Sequence, residues 1–327
     1  MSAPTQVVLA GTGKMARDVG AWLLRNGFRV GFVGRDAGRL RELERKVERD
    51  LRRHMDEEIP VSIASATFHR FGEPLPTAEV VIECVVESLE AKRSALDSLI
   101  PAATADSLVL STSSSILPSA IHPRCAAVHF FYPLELTGFV ELIVPLGVPA
   151  APIEAFVHAL GLKTIAQAEA HAFAVNRLFL PVQARCVAAL RAGAPAAEVD
   201  SASKSHLLPV GQLSLMDVVG LDTIGASVSS YLARLSEAEA NQLAPLRDGV
   251  LELVKMGKLG QKNGDGFLCG RPLPWAAGGS RTQKGLGDAL ARLFDESCRR
   301  FVAEGEMTQG DLRLALSGLF GVEWTAR

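Results

Sequence analysis

An apolar run, Gln6-Val7-Val8-Leu9-Ala10, leads straight into Gly11-Thr12-Gly13-Lys14-Met15-Ala16. A segment follows whose apolar residues, Val19, Trp22 and Leu23, recur at helical spacing. Strand, glycine turn and helix in this order restrict the chain to few folds, and the arrangement is a dinucleotide-binding fingerprint. Gly11 permits the tight turn. Gly13 lets a pyrophosphate approach the backbone at the helix N-terminus, where free N–H groups point at it. Lys14 and Met15 lie in the same loop and are further cofactor-binding candidates. Ala16 takes the place where a small residue lets helix and strand pack.

The second strand reads as Phe28-Arg29-Val30-Gly31-Phe32-Val33. An NAD site usually ends this strand with an acidic residue on the ribose 2′-hydroxyl. Here Gly34 and Arg35 stand in its place. A glycine removes the carboxylate that would repel a 2′-phosphate, and a guanidinium can hold that phosphate with two hydrogen bonds. The expected cofactor is therefore NADP(H), with Arg39 as a second phosphate partner. The alternative is NAD, with Asp36 turning back to the ribose and Arg35 a solvated surface charge. From Ala37 to about His54 the Arg and Glu residues fall at helical spacing, as in a solvated helix with i,i+4 pairs.

The 327 residues suggest roughly two domains. A hydrophobic fraction of 48 % fills two cores, and a net charge of −2 gives no reason to expect a nucleic-acid partner. No apolar stretch is long enough for a membrane span, and Met1-Ser2-Ala3-Pro4-Thr5 has no signal-peptide pattern. The five cysteines, Cys84, Cys125, Cys186, Cys269 and Cys298, are scattered through apolar contexts. They read as reduced thiols of a cytoplasmic protein. No metal-ligand spacing occurs among the Cys and His residues, so no metal is expected.

Two apolar runs further on each carry one polar residue near an end: His129 in Val128-His129-Phe130-Phe131-Tyr132-Pro133, and Glu141 in Phe139-Val140-Glu141-Leu142-Ile143. An imidazole that exchanges a proton, with a carboxylate to fix its tautomer and stabilise its charged form, is an acid/base pair. The strands before them are Glu79 to Val85 and Ser107 to Leu110. The second leads into Ser111-Thr112-Ser113-Ser114-Ser115, at the edge of a parallel sheet where ligands bind.

With these residues in place the chain resembles the L-3-hydroxyacyl-CoA dehydrogenase family, from about residue 6 to 270. The glycine loop ends Met15-Ala16 where the family has Met-Gly. The signature near the nicotinamide appears as Glu87-Ser88-Leu89 and Lys92. The family's Asn-Thr-Ser-Ser turn appears as Thr112-Ser113-Ser114-Ser115, and its His-Phe-Phe-Asn-Pro motif as His129-Phe130-Phe131-Tyr132-Pro133. The motif opening the second domain is Val175-Asn176-Arg177. The resemblance implies His129 as general base, Glu141 as its orienting partner, and Ser114 and Asn176 as groups holding substrate oxygens. It also implies Glu87, Lys92 and Thr112 at the cofactor, and a homodimer paired through the second domain. Gly34, Thr112 and Tyr132 depart from the family where it touches cofactor or substrate, and residues 37–79 are shorter than its coenzyme A-binding arm. Tyr132 is bulkier than the family's asparagine and would reshape the acyl pocket.

A Pro/Gly/Ala-rich stretch near residue 150 precedes one last helix and strand of the first domain. The fold expected is α/β: a Rossmann-like doubly wound sheet over 1–172, then an all-α substrate and dimerisation domain over 173–274. In the latter, Leu178 to Leu190 and Ala197 to Lys204 read as helices. Lys258 to Phe267 matches the family's glycine-rich closing turn, and Gly211 to Asp217 its preceding motif. Residues 275–327 read as a helical extension after a linker at Ala276-Ala277-Gly278-Gly279-Ser280. Cys298 to Gly305 echoes Cys186 to Gly193, and Asp311 to Ala315 echoes Glu198 to Ala202, as in a partial repeat of the substrate domain.

The function expected is hydride transfer between NADP(H) and C3 of a 3-hydroxyacyl or 3-ketoacyl thioester, carried by coenzyme A or an acyl carrier protein. One alternative is an NAD-dependent dehydrogenase of a free 3-hydroxy acid, such as a sugar acid or carnitine-like compound. Another is a non-catalytic NADP(H)-binding structural or sensor protein.

Overall fold

The computed structural model describes residues 5–53, 63–205, 208–275 and 284–325. The linker expected at 276–280 lies outside them. The chain divides into two compact units, Met1–Ala172 and Phe173–Arg327.

The first unit holds strands β1 (Gln6–Ala10), β2 (Arg29–Gly34), β3 (Ala66–Arg70), β4 (Ala78–Glu83), β5 (Ala103–Ser111), β6 (Cys125–Phe130), β7 (Phe139–Val144) and β8 (Lys163–Ala168). Its helices are α1 (Lys14–Arg25), α2 (Ala37–Arg53), α3 (Leu89–Leu99), α4 (Pro118–Ile121), α5 (Leu134–Thr137) and α6 (Ala150–Ala159). The strands form one sheet in the order β3-β2-β1-β4-β5-β6-β7-β8. Neighbours are parallel except β6 and β7, which are antiparallel.

The period of two along β1 explains why that strand is apolar from Val7 to Ala10. Val7 and Leu9 belong to one buried cluster with residues of α1, α2 and α6, such as Leu23, Leu43 and Phe156. Val8 and Ala10 belong to a second cluster with Leu96 and Leu99 of α3. A strand covered on both faces has no side for polar residues. β3 escaped the sequence reading because it is an edge strand with no fully buried residue, Ala66-Thr67-Phe68-His69-Arg70. On α2, only Leu40, Leu43, Val47 and Leu51 are buried. Its outer face carries the i,i+4 pairs Glu42–Lys46 and Glu48–Arg52, each at 2.7 Å.

The second unit is helical: α7 (Ala174–Arg177), α8 (Leu180–Arg191), α9 (Ala196–Ala202), α10 (Gln212–Val219), α11 (Leu221–Leu232), α12 (Glu237–Lys255), α13 (Leu286–Ala303) and α14 (Gln309–Phe320). α8 packs against α12, with Gly249 allowing the approach: a Cβ there would lie 2.4 Å from Val187. Residues 284–325 cluster with this unit, α13 lying on α8 and α9. Asp217 closes the glycine-rich turn by accepting the Phe267 and Leu268 N–H groups at 2.8 and 2.9 Å. Among the described residues no single helix is long and apolar enough to cross a membrane.

The contact of α1 with β2 gives a stability prediction. A Cβ on Gly20 would lie 2.2 Å from the Phe32 ring, itself buried and stacked on Phe68 at 5.1 Å. Alanine gains about 1 kcal/mol in helix propensity, but overpacking costs about 1–3 kcal/mol. Gly20→Ala should therefore lower unfolding free energy by roughly 1 kcal/mol in urea titration, and a stabilised variant would contradict the packing argument.

Candidate active site

The glycine turn sits at the switch point of the sheet, where β1 lies between β2 and β4. Gly11 holds φ at +143°, and a Cβ there would lie 2.3 Å from the Cys84 carbonyl oxygen. Its N–H donates to the Val33 carbonyl at 2.9 Å, which ties the turn to β2. Gly13 precedes α1 with no side-chain cap, and a Cβ there would meet nothing within 4 Å. The bare helix end therefore faces open space, as an anion site requires.

A cleft of about 510 Å³ opens here, lined by Gly11, Thr12, Gly13, Lys14 and Met15. Gly34, Arg35 and Arg39 line it from the β2 side, with Phe71 and α3 residues beyond. Both guanidinium side chains are on exposed residues. Asp36 Oδ1 accepts the Arg39 N–H at 2.8 Å and so caps α2. A Cβ on Gly34 would approach the Thr12 methyl to 2.7 Å and Leu40 to 3.0 Å. The absence of a side chain at 34 thus has a packing reason besides the electrostatic one.

Across the cleft, a buried charge network holds the loop after β4 to the loop after β5. Lys92 Nζ donates to both Glu83 oxygens at 2.9 and 3.2 Å and pairs with Glu87 Oε2 at 3.1 Å. Ser111 Oγ also donates to Glu83. Glu87 Oε1 accepts the Ser113 and Ser115 hydroxyls at 2.7 and 2.8 Å and the Ser114 and Ser115 N–H groups at 3.0 Å. Burial works against the Glu87 charge, but Lys92 and the serine hydroxyls outweigh it and hold its carboxyl at about 2. Burial likewise opposes the Lys92 charge, and Glu83 and Glu87 overcome it, raising its pKa. Lys92 is 1 % exposed. Its ammonium is engaged by two carboxylates, Glu83 and Glu87. Glu83 was missed by the sequence reading. Its one signal was an acidic residue inside the apolar run Val80-Val81-Ile82-Glu83-Cys84.

Thr112 lies just past β5, with its hydroxyl 3.3 Å from the Cys84 thiol. Burial, partly offset by that bond, pushes the thiol up to about 12. All five cysteines are free and four are buried. Among the described residues no group of three or more His, Cys, Asp or Glu converges on a metal site.

His129 and Glu141 face each other directly across the β6–β7 pair, with Nδ1 to Oε2 at 2.7 Å. Glu141 is fully buried and His129 nearly so. A carboxylate at Nδ1 makes that nitrogen the N–H donor, so the basic nitrogen of the neutral ring is Nε2. Phe131 packs on the imidazole with ring centroids 4.3 Å apart. Tyr132 turns to the glycine loop: Lys14 Nζ lies 3.9 Å from its ring centroid. Burial, then the neighbouring Asp18, pushes its phenol above the ordinary value. Asn176 belongs to the second unit, where its Nδ2 donates to the Tyr231 hydroxyl at 3.3 Å.

Comparison with known proteins matches both halves. The model of the 3-hydroxyacyl-CoA dehydrogenase NAD binding domain matches residues 6–161, and that family's C-terminal domain matches residues 173–269. A 3-hydroxybutyryl-CoA dehydrogenase of Mycobacterium tuberculosis is 31 % identical over 214 residues, covering 62 % of this chain and 73 % of that protein. The human mitochondrial hydroxyacyl-coenzyme A dehydrogenase is 29 % identical over 202 residues, covering 58 % and 63 %. The solved structure of an (S)-3-hydroxybutyryl-CoA dehydrogenase from Ralstonia eutropha superposes with a TM-score of 0.70 at 25 % identity, covering 82 % of this chain and all of that one.

Glu87 sets an acid limb. A carboxylate depressed in the folded state contributes stability above its unfolded value and loses it as pH falls through the folded one. Stability should drop between about pH 4.5 and 2. Glu87→Gln should flatten that limb and reduce stability at neutral pH by roughly 2 kcal/mol, read from urea midpoints across pH. An unchanged acid limb would show that another carboxylate governs it.

Proposed function

The chain belongs to the 3-hydroxyacyl-CoA dehydrogenase family of NAD-binding oxidoreductases, and on that premise we propose that it interconverts 3-ketoacyl and 3-hydroxyacyl thioesters with NADP(H). The observation that carries the proposal is the His129–Glu141 pair, set opposite one another at 2.7 Å.

The cradle fits a dinucleotide. Gly13 meets no protein atom where a Cβ would stand, and the uncapped start of α1 would receive the pyrophosphate with Lys14 and Met15 beside it. Arg35 and Arg39 line the cleft where a 2′-phosphate would lie, and Asp36 is engaged in capping α2. These features favour NADP(H) over NAD. When bound, the nicotinamide cofactor supplies a hydride for C3 of the substrate, or accepts one in the reverse direction.

In reduction, His129 gives its Nε2 proton to the C3 oxygen; in oxidation Nε2 takes that proton back. Glu141 holds the ring in the tautomer that leaves Nε2 basic, and its charge stabilises the imidazolium. Ser114 and Asn176 orient the substrate oxygens and stabilise charge that develops on them. Glu87 fixes the Ser113–Ser115 turn, so Ser114 is presented from a clamped backbone. The substrate is a small-molecule or carrier-linked acyl group. The functional unit in this reading is a homodimer in the cytoplasm, a setting that suits the free cysteines.

His129→Gln should reduce turnover of acetoacetyl-CoA by at least ~10²-fold while cofactor binding is retained; near-normal turnover would sink the acid/base assignment. Parallel assays with free acetoacetate separate the thioester reading from the free-acid one. Arg35→Ala should abolish the preference for NADPH over NADH, a change of about tenfold or more in relative affinity. Equal binding of the two cofactors by the wild type would mark Arg35 as an ordinary surface charge.

A further inference from the structure

Asn176 sits on α7, a helix of four residues that cannot hold itself together as an isolated turn. Its start is strained. Phe173, fully buried, takes φ 62° and ψ 37°, a left-handed conformation that bulky side chains rarely adopt. Such a conformation persists where the surroundings over-determine it.

One fastener is Arg177, next to Asn176. Its Nη1 and Nη2 donate to Glu306 Oε2 and Oε1 at 2.6 and 3.2 Å, a forked pair whose side chains are 12 % and 11 % exposed. The ring of Phe301 lies 5.3 Å from the same guanidinium. Phe301 comes from α13 and Glu306 from the turn between α13 and α14, both beyond the residues that match the family's second domain, which end at 269. They are firmly seated. The Glu306 N–H donates to the Phe301 carbonyl at 2.9 Å, and Thr308 and Asp311 form a capping box at the start of α14. Phe179, just before α8, stacks on Phe294 of α13 at 5.6 Å.

We propose that Glu306 is a positioning residue for the reaction: through the forked pair with Arg177 it holds α7 so that Asn176 presents its carboxamide to the substrate. The C-terminal extension is then part of the substrate-positioning apparatus of this chain. A carboxylate suits the task because it matches the guanidinium fork with two acceptors and fixes its plane. The proposal rests on the reading of Asn176 as a substrate-orienting group.

The test is a double-mutant cycle on the full chain with acetoacetyl-CoA, comparing wild type, Asn176→Ala, Glu306→Gln and the double variant. Glu306→Gln should lower kcat/KM by about tenfold, with NADPH affinity and the circular-dichroism spectrum unchanged. The double variant should be no slower than Asn176→Ala, because the two changes remove one function. A Glu306→Gln variant as active as wild type, beside an impaired Asn176→Ala, would overturn the proposal and leave the Asn176 reading standing. Losses that multiply in the double variant would also overturn it. Normal turnover in Asn176→Ala would remove the reading beneath it and overturn both. Should Glu306→Gln unfold, Arg177→Lys, which keeps the charge and loses the fork, enters the same cycle with the same expectations.

Discussion

The hydrogen bond between His129 and Glu141 depends on one exception in the sheet. Among the described strand pairs, β6 and β7 alone run antiparallel. A parallel pair needs a crossover of a dozen or more residues, whereas antiparallel strands can return within a few. Here Leu134–Thr137 and the left-handed Gly138 make the return, and the register sets residue 129 opposite residue 141. A slip of one residue would turn Glu141 to the other face. The same register brings the buried carboxylate to an imidazole, and a buried charge calls for such partners. Register, burial and acid/base chemistry are therefore one constraint.

The loops beyond β4 and β5 are held by a second buried arrangement. Lys92 is shared by Glu83 at the end of β4 and Glu87 in the loop after it. Glu87 in turn gathers the turn after β5. The two carboxylates that share this ammonium thus tie the end of β4 to the end of β5, Glu83 through Ser111 and Glu87 through Ser113 and Ser115.

Much of this was legible in the chain. The glycine pattern requires a tight turn at Gly11, and the structure gives that residue φ +143° with the Cys84 carbonyl packed against it. The apolar runs around His129 and Glu141 announced buried strands, and α6 and β8 follow the Pro/Gly/Ala-rich stretch as read. What was hidden lacked a local signature. β3 has no apolar run, being an edge strand. The engagement of Lys92 depends on Glu83, whose significance appears only when β4 and α3 come together. The Arg177–Glu306 pair spans 129 residues, and no spacing rule reaches that far. Tyr132 reads as a pocket-shaping substitution, yet its ring lies against Lys14 of the glycine loop, a contact made by the turn after β6.

The most direct test of the account is the tautomer of His129, read from the nitrogen chemical shifts and proton couplings of its labelled ring in the neutral form. With Glu141 accepting from Nδ1, the account predicts a protonated Nδ1 and an unprotonated Nε2. It also predicts loss of that preference in Glu141→Gln. A neutral ring protonated at Nε2 in the wild type would contradict it, because the nitrogen assigned to take the substrate's proton would already carry one.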